Sequence, residues 1–314
     1  MFNLVQHRKW YFLLSTLVIL PGLLVMIYST ITTGTPLQLS IDFTGGVYWE
    51  FTLGEAVPPA QVRDVFVEFG LNDTSVTTVG DQGNQYQARL KNIDQTTKEQ
   101  IQAELNTLYE PIVTLQFRAV GPAVGQEVTQ AAVVAVLFAS LAILGFIVWA
   151  FRNVPNPVRY GVSAIVAMIH DVLVTLGFYS IMGLVAGWEV DALFLTALLT
   201  IIGFSVQDTI VVFDRIRENT SRRRGEDFET IANRSLLETI HRSLATQLNA
   251  IFIMIAILLF GGATIRQFIA VLLVGMLSGT YSSIFNAVPL LVSWEMGDLR
   301  RLFGGRKRSA ATAA

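Results

Sequence analysis

Six apolar segments, each long enough to cross a bilayer, leave this 314-residue chain few alternatives to a membrane-embedded helix bundle. A helix needs about 20 apolar residues to span the hydrocarbon core. Charged residues make up only 15% of the chain, whereas soluble domains usually carry about 25%. The predicted spans are Trp10–Thr30, Val128–Phe151, Val158–Val185, Ala192–Phe213, Leu244–Ile265 and Gln267–Trp294.

The short loops between these spans carry their lysines and arginines on one face of the membrane. Arg8 and Lys9 precede the first span, a run of arginines follows the fourth, and the loop "GWEVDA" after the third is acidic. Because basic loops stay in the cytoplasm, both termini are predicted to be cytoplasmic. Residues 31–127 are then outside, and the chain is expected to be a multi-pass membrane protein. The first span, in residues 1–30, lacks a clear cleavage site and is predicted to be an uncleaved anchor.

Residues 31–127 have the pattern of one small domain. "LQLSIDFTGGVYWEFTL" reads as a strand, "PPAQVRDVFVEFG" as a helix, and "TSVTTVG" with "YQARLKN" as two strands. A helix with Asp94 as its N-cap and a last strand, "PIVTLQFRAVG", follow. The order β-α-β-β-α-β predicts a ferredoxin-like domain. The fold class is therefore an α+β membrane protein, a six-helix bundle with an extracytoplasmic domain between its first two helices.

Two polar segments border the remaining spans, which occupy residues 128–213 and 244–302. The cytoplasmic link, residues 214–243, holds a basic cluster and then apolar residues at helical spacing. We expect an amphipathic helix at the membrane surface, or else a solvated connector. The basic tail, residues 303–314, is predicted to be disordered and attracted to anionic lipid. No nucleic-acid motif accompanies these basic clusters, so no nucleic-acid partner is expected.

Asp171 lies near the middle of the third span. An Asp there costs about 2.5–3.5 kcal/mol on insertion scales, so such residues face the bundle interior or a wet cavity. Ser163, Ala167, Thr175 and Tyr179 share its helix stripe at four-residue spacing. A buried carboxyl could bind and release protons, or could remain neutral and join helices by hydrogen bonds. Its neighbour His170 is either a second titrating group or a packing residue.

The fourth span holds a second acid, Asp208, close to its cytoplasmic end. Ser205 and Thr209 fall on the same side of that helix. Arg215 and Arg217 follow, and they either pair with Asp208 or Asp214 or reach toward the interface. In the last span, small residues at four-residue spacing predict close helix packing, while Asn286 could reach a proton path; the small residues are Gly275, Gly279 and Ser283.

Several classes of enzyme and site are disfavoured by the sequence. The chain has no cysteine, which excludes disulfides, thiolate metal sites and cysteine nucleophiles. It lacks a phosphate-binding glycine loop, H-E-x-x-H and G-x-S-x-G. Asp171 and Asp208 do not stand in the sequence contexts of an intramembrane aspartyl protease. We therefore expect neither an enzyme nor a metal or cofactor site.

Four segments resemble the SecF family, the membrane subunits of the SecDF protein-export complex in the resistance-nodulation-division superfamily. They are "IDFTGG" after the first span, "GPAVGQEV" before the second, "HDV....G" in the third and "GFSVQDTIVVFDRIREN" in the fourth. The resemblance covers about residues 4–302. Gln207 stands where many members have Asn, and an amide is retained.

The resemblance implies a function and partners. The chain would form half of a transporter of that superfamily, with SecD as the other half. The pair would assist the SecYEG channel late in preprotein translocation, with protons as the coupling ion and YajC as a further partner. The outer domain would move relative to the membrane part and contact emerging polypeptide. The alternatives are a non-transporting scaffold for SecD and the channel, and a small-molecule efflux pump, against which the small outer domain argues.

The resemblance also implies roles for individual residues. Asp171 matches the family's proton-pathway aspartate, and the fourth-span motif adds further pathway residues. With their neighbours, the expected pathway residues are Asp171, Asp208, Thr175, Gln207, Arg215 and His170. The "IDFTGG" motif is expected to serve the outer domain or its contacts with preprotein, through Asp42, Phe43, Gly45 and Gly46.

Overall fold

The computed structural model describes residues 3–80, 83–223 and 225–298 of the chain. The chain forms two compact units, one of Met1–Gln38 with Ala135–Ala314 and the other of Leu39–Val134. The first is helical and is called the helical unit; the second contains a sheet and is called the outer unit, after the location predicted for residues 31–127. The predicted disordered tail, residues 303–314, lies outside the described residues.

The six predicted spans are confirmed within the described part of the chain. Six helical segments there are long and apolar enough to cross a membrane: Val5–Thr33, Pro122–Ala150, Pro157–Ala186, Ala192–Arg222, Phe228–Phe260 and Ile265–Glu295. Their helices are α1 (Arg8–Thr33), α5 (Pro122–Ala150), α6 (Pro157–Ala186), α7 (Ala192–Arg222), α8 (Phe228–Phe260) and α9 (Ala263–Ser282). A π-helix, Ser283–Ala287, continues α9 into α10 (Val288–Glu295).

The link between the fourth and fifth spans differs from the expectation of a separate surface helix. Asp227 caps α8, accepting a hydrogen bond from the backbone N–H of Thr230. From Phe228 the helix then runs unbroken to Phe260, because the sequence offers neither Gly nor Pro in between. At 1.5 Å per residue α8 is about 50 Å long, more than the roughly 30 Å hydrocarbon core. Residues 228–243 are therefore the first turns of the fifth span's own helix.

The third, fourth and sixth spans form the centre of the helical unit. In each of them 50% of the most apolar window is buried, against 11% for the first and second spans. Aromatic side chains fill one part of this core, where the rings of Phe151, Tyr160 and Phe213 lie 5.3 to 6.3 Å apart. Two of these three central spans carry the intramembrane acids, Asp171 on α6 and Asp208 on α7. Polar groups are thus concentrated where other helices, and not lipid, can supply their partners.

Helix α1 packs against α6 at a pair of glycines. A Cβ atom added to Gly22 would lie 2.4 Å from the Cα of Gly177, and one added to Gly177 would lie 2.9 Å from the Cα of Gly22. Both distances are too short for a real contact, and the neighbouring atoms are backbone. The absence of side chains is what lets these two helices touch, as small residues do in membrane helix pairs generally.

Substitution of Gly22 by Ala is expected to loosen α1 from α6. Overpacking of a tight contact costs about 1–3 kcal/mol, since the added methyl can be accommodated only by moving a helix. Disulfide cross-linking between cysteines introduced into α1 and α6 would measure the separation. Gly145→Ala is the matched control, because a Cβ at Gly145 meets nothing within 4 Å. Equal cross-linking yields in the two variants would contradict the prediction.

The outer unit has the predicted ferredoxin-like topology. Its elements are β1 (Gly46–Thr52), α3 (Pro59–Glu68), β2 (Ser75–Val79), β3 (Gln85–Leu90), α4 (Gln95–Leu108) and β4 (Val113–Val120). The sheet order is β2-β3-β1-β4, and every neighbouring pair is antiparallel. Alternate residues of β1 point to a core shared with both helices: Trp49 and Phe51 are fully buried there, with Phe66, Ile101 and Leu105.

The segment before β1 is helical, although the sequence analysis predicted it to be part of the strand. Residues Ile41–Thr44 form a short helix, α2, because Ser40 caps it by accepting from the backbone N–H of Asp42. Gly45 and Gly46 then turn the chain into β1 with φ angles of 71° and 116°, values that side chains disfavour. A Cβ at Gly46 would also lie 2.7 Å from the carbonyl oxygen of Leu90. The backbone conformation at both positions, and the close approach to Leu90, therefore explain why the motif contains two glycines.

The outer unit ends later than the predicted boundary at residue 127. Its last residues are the first turns of α5, up to Val134. Gly125 lets this helix approach the motif, because a Cβ there would lie 2.8 Å from the carbonyl oxygen of Phe43. Thr129 Oγ1 donates to the same oxygen at 3.4 Å. The "IDFTGG" and "GPAVGQEV" segments are therefore neighbours within one unit.

Tyr48 gives the outer unit a predicted sensitivity to alkaline pH. Burial, with a hydrogen bond to Glu50, raises the pKa of Tyr48 to about 12 from the ordinary 10.0. A raised pKa in the folded state stabilises below pH 10, and the contribution is lost as the pH rises toward 12. Unfolding of the outer unit, followed by denaturant titration and Trp49 fluorescence, should show this loss. A Tyr48→Phe variant should lose less stability between pH 10 and 12; an equal loss would contradict the assignment.

Candidate functional site

Asp171 is fully buried at the meeting point of three helices. Its side chain projects from α6 toward α7 and α9, and its exposed fraction is 0%. The stripe predicted from four-residue spacing is the inward face of α6: Ser163, Ala167, Thr175 and Tyr179 are all buried with it. A carboxyl in this position depends on neighbouring helices for every polar contact.

Three serine hydroxyls donate hydrogen bonds to the Asp171 carboxylate. Ser205 of α7 reaches Oδ2 at 2.5 Å, and Ser282 of α9 reaches the same oxygen at 2.6 Å. Ser278 of α9 donates to Oδ1 at 2.6 Å. These bonds join α6 to both of its inner neighbours. Hydrogen bonds to charged groups are worth about 1.5–3 kcal/mol each, so the charge on this one carboxyl affects the packing of three helices.

His170 completes the set of contacts to the carboxyl. Its Nδ1 lies 2.9 Å from Asp171 Oδ1. The imidazole is 8% exposed, and the ring of Tyr281 lies 6.0 Å from it between centroids. The sequence left open whether His170 titrates or packs; the structure places it in direct contact with the buried acid. Thr175, by contrast, donates to the main-chain carbonyl of Asp171 at 2.8 Å and not to the carboxylate.

The sequence brings the serines to Asp171 by helical spacing and small residues. Ser278 and Ser282 are four residues apart, so they lie one turn apart on the same face of α9. Gly279 between them allows the close approach: a Cβ there would lie 3.3 Å from the Cα of Ser205 and 3.7 Å from Asp171 Oδ2. The small residues of the last span, expected to serve packing, thus also place the donors.

Asp208 is the second buried acid and lies three residues after Ser205 on α7. Its exposed fraction is 6%. Gln247 of α8 donates from Nε2 to Asp208 Oδ2 at 2.8 Å. Thr209 Oγ1 donates to the main-chain carbonyl of Ser205 at 3.2 Å. The two acids predicted from sequence are therefore placed on the same part of the bundle, linked through one turn of α7.

The other expected pathway residues lie apart from this cluster. Gln207 is on the exposed side of α7. Arg215 pairs with Glu218 and with Glu238 of α8, each at 2.5 Å.

Arg217 pairs with Asp214 at 2.6 Å. Of the pairings left open by the sequence, the one with Asp214 is thus present, and Asp208 has its described hydrogen bond from Gln247 instead. The place of Arg215 and Gln207 in a proton pathway stays a prediction.

The partners of the acids were the part of the site that sequence reasoning missed. Ser278, Ser282 and Gln247 stood out only as polar residues in apolar spans, and nothing in their spacing identified which acid each would contact. A polar residue inside a span without a charged neighbour is a weak signal, since it serves packing just as often. Asn286 contacts Ser15 of α1, whose hydroxyl donates to Asn286 Oδ1 at 2.8 Å.

The hydrogen bonds that the Asp171 carboxyl can make depend on whether it carries a proton. An ionised carboxylate accepts only, and it can satisfy all three serine donors together with His170. A protonated carboxyl carries a donor of its own, so at least one neighbour must turn from donor to acceptor. Proton binding therefore rearranges the hydrogen bonds between α6, α7 and α9. Among the described residues, no group of three or more His, Cys, Asp or Glu could hold a metal ion.

Comparison with known proteins gives the same family from independent directions. A family model described as "Protein export membrane protein SecD/SecF, C-terminal" matches residues 100–297. Two curated relatives carry the name protein translocase subunit SecF. The one from Thermobaculum terrenum is 46% identical over 99% of both chains. The one from Anaerolinea thermophila is 48% identical over 100% of both.

A solved structure shares the fold. The crystal structure of SecDF from Thermus thermophilus, described as a translocon-associated membrane protein, superposes with a TM-score of 0.75 and 30% identity. The match covers 94% of this chain and 39% of the SecDF chain. A protein translocase subunit SecDF from Bacillus subtilis matches over 95% of this chain and 39% of its own length, at 31% identity.

Proposed function

This chain belongs to the SecF family of protein-translocase subunits, and on that premise we propose that it uses proton exchange at a buried carboxyl to assist protein export. The observation that supports this proposal most directly is the Asp171 cluster, which consists of Asp171, His170, Ser205, Ser278 and Ser282. A fully buried carboxyl that bonds three hydroxyls on two other helices couples proton occupancy to helix packing. Asp208, the second buried acid, is the further candidate for proton exchange.

A SecD partner is the companion that this function requires. In the SecDF relatives one chain carries the region matched here in 39% of its length. The remaining part of such a chain would be supplied to this protein by a separate subunit. The exposed faces of α1 and α5, which carry large apolar side chains such as Ile31, Phe138 and Leu141, are available for that partner or for lipid.

The energy available from protons suits this role. Moving one charge through 100 mV yields about 2.3 kcal/mol. Shifting a two-state equilibrium from 1:99 to 99:1 needs about 5.5 kcal/mol. At a gradient somewhat above 100 mV, about two protons per cycle supply an energy of this order. Loss or gain of one charge-assisted hydrogen bond at Asp171, at about 1.5–3 kcal/mol, is the structural change through which that energy would act.

The family and the basic loops support the cellular setting proposed here. We place both termini in the cytoplasm and the outer unit on the far side of the cytoplasmic membrane. The preprotein channel, SecYEG, is the associated machine, with YajC and membrane lipid as further contacts. The outer unit, with its Asp42 and Phe43 motif held by Gly45 and Gly46, would then face emerging polypeptide.

Export in reconstituted vesicles tests the proposal. Vesicles would contain this chain, its SecD partner and the channel, and preprotein transport would be followed with and without an imposed proton gradient. We expect the chain to accelerate export only when the gradient is present. Equal acceleration without a gradient would favour the competing function, a scaffold that stabilises SecD and the channel and in which the Asp171 cluster is a fixed joint.

A further inference from the structure

A cavity leads from one end of the helical unit to the imidazole of His170. Its volume is about 760 Å³, and α1, α6 and the α10 region form its walls. Lys9, Thr16, Ser293 and Asp298 are among the lining residues, and His170 is another. Arg8 bonds Asp298 at 2.5 Å and Arg159 bonds Glu295 at 2.8 Å, so the start of α1, the start of α6 and the end of α10 lie together.

His170 stands deep within the bundle as seen from that end. It is the fourteenth residue of α6, which begins at Pro157, so the helical rise places it about 20 Å from the start. The polar side chains of the cavity are spread along this distance. Lys9 and Asp298 belong to the end where α1 begins, and Thr16 of α1 and Ser293 of α10 lie further along its walls.

The two nitrogens of His170 have different surroundings. Nδ1 is 2.9 Å from Asp171 Oδ1. Nε2 is buried, in a residue that is only 8% exposed, and it has no hydrogen-bond partner among the described residues. Buried polar nitrogens in proteins are nearly always hydrogen-bonded, by water if not by protein. Two cavities adjoin the imidazole, and a partner for Nε2 would have to come from one of them.

We infer that His170 relays protons between this cavity and Asp171, so that Asp171 exchanges protons with the side of the membrane on which α1 begins. This deepens the proposed function and rests on it. A second cavity, of about 290 Å³, also touches His170 but is lined by apolar residues such as Leu14, Val18 and Val274. The first cavity has apolar walls too, with Phe12 and Leu290 among them, but of the two it is the one that carries charged groups, Lys9 and Asp298, and it is therefore the route.

The relay moves one proton and needs no other reactant. A proton from the cavity binds Nε2 and forms the imidazolium, in which both nitrogens carry hydrogen. The Nδ1 proton then passes to Asp171 Oδ1, which leaves a neutral carboxyl and a neutral imidazole protonated at Nε2. The reverse sequence releases the proton to the cavity. In that reverse sequence the carboxyl returns its proton to Nδ1 and Nε2 loses its own, so the first tautomer is restored.

The charged and titratable groups around His170 come from each adjoining element. Asp171 is on its own helix, Tyr281 faces it from α9, and Arg8, Lys9 and Asp298 line the cavity. Arg8 is held by Asp298 and by Glu229 of α8. The cations and the carboxylates at the mouth thus partly offset each other.

The first experiment measures how fast Asp171 takes up a proton. Vesicles containing the full chain and its SecD partner would receive a pH jump, and the infrared carbonyl band of the protonated carboxyl, identified as the band lost in Asp171→Asn, would be followed in time. In His170→Gln the rate should fall by at least about tenfold, since positioned proton-transfer groups contribute roughly 10²–10⁴-fold. The final extent of protonation should stay within the wild-type range.

This experiment has one matched control and two results that would contradict the relay. His241 is exposed on α8, so His241→Gln is the matched control and should keep the wild-type rate. An unchanged rate in His170→Gln would overturn the relay while leaving the proposed function intact. A carboxyl that never changes its protonation would overturn both.

The second experiment tests the route and does not depend on activity. Because the chain has no cysteine, single cysteines at Thr16 and Ser293 can report on the cavity and one at Val274 on the apolar cavity. A small, membrane-impermeant sulfonate-bearing thiol reagent would be added to either side of the vesicles. Thr16→Cys and Ser293→Cys should react from the side where α1 begins, at least about tenfold faster than Val274→Cys. Failure of both to react from that side would show that lipid fills the cavity, and would overturn the inference.

Discussion

Replacement of Asp171 by Asn is expected to reduce gradient-driven protein export to the rate measured without a gradient. Asn has the shape of Asp and keeps hydrogen-bonding capacity toward Ser205, Ser278 and Ser282, whose hydroxyls can accept as well as donate. The substitution therefore removes the ability to change charge while leaving the cluster packed. Transport into vesicles with and without an imposed gradient is the measurement, and subunit association with SecD is followed in parallel.

A matched control separates this effect from a general loss of negative charge. Asp214→Asn removes the same charge from α7, but its side chain is 57% exposed and pairs with Arg217. It should retain most of the gradient-driven rate. The proposed role of Asp171 would be wrong if Asp171→Asn exported at the wild-type rate in a gradient. Weakened association with SecD and no change in gradient dependence would instead identify the acid as a joint between helices.

Replacement of Trp49 by Ala is expected to unfold the outer unit while the helical unit stays assembled. Trp49 is fully buried, and its ring lies 5.5 to 6.1 Å from those of Phe51, Phe66 and Phe117. Large-to-small changes of this kind cost about 3–5 kcal/mol, against a net stability of about 5–15 kcal/mol for a typical domain. Limited proteolysis of the full chain should show rapid cleavage within residues 39–134.

The control for this prediction lies on the same sheet. Leu115 of β4 is 52% exposed, so Leu115→Ala removes apolar volume without opening a cavity and should leave the protease resistance of the unit unchanged. Retained resistance in Trp49→Ala would show that the aromatic cluster is not what holds the unit together. Export by the Trp49→Ala protein should also fall, because the outer unit is the part proposed to face emerging polypeptide.

Local patterns were sufficient for the architecture. A run of about 20 apolar residues has one stable state in a bilayer, so the six spans could be identified without knowledge of their packing. The outer unit could also be predicted from local patterns, because strands such as Gly46–Thr52 alternate buried and half-buried residues. The errors were at junctions. Ile41–Thr44 is helical through its Ser40 cap, and most of the predicted link belongs to the two neighbouring helices, because α7 extends to Arg222 and α8 begins at Phe228.

The sequence by itself determined that the chain crosses a membrane six times, carries a ferredoxin-like insert and buries two acids. The tertiary structure alone decided which side chains meet those acids: Ser205, Ser278 and Ser282 at Asp171, and Gln247 at Asp208. It also placed Arg215 with Glu218 and Glu238. The reason is physical. Membrane insertion and helix formation depend on residues near one another in sequence, whereas the partner of a buried carboxyl comes from residues 34 to 111 positions away, brought into contact only when the helices pack.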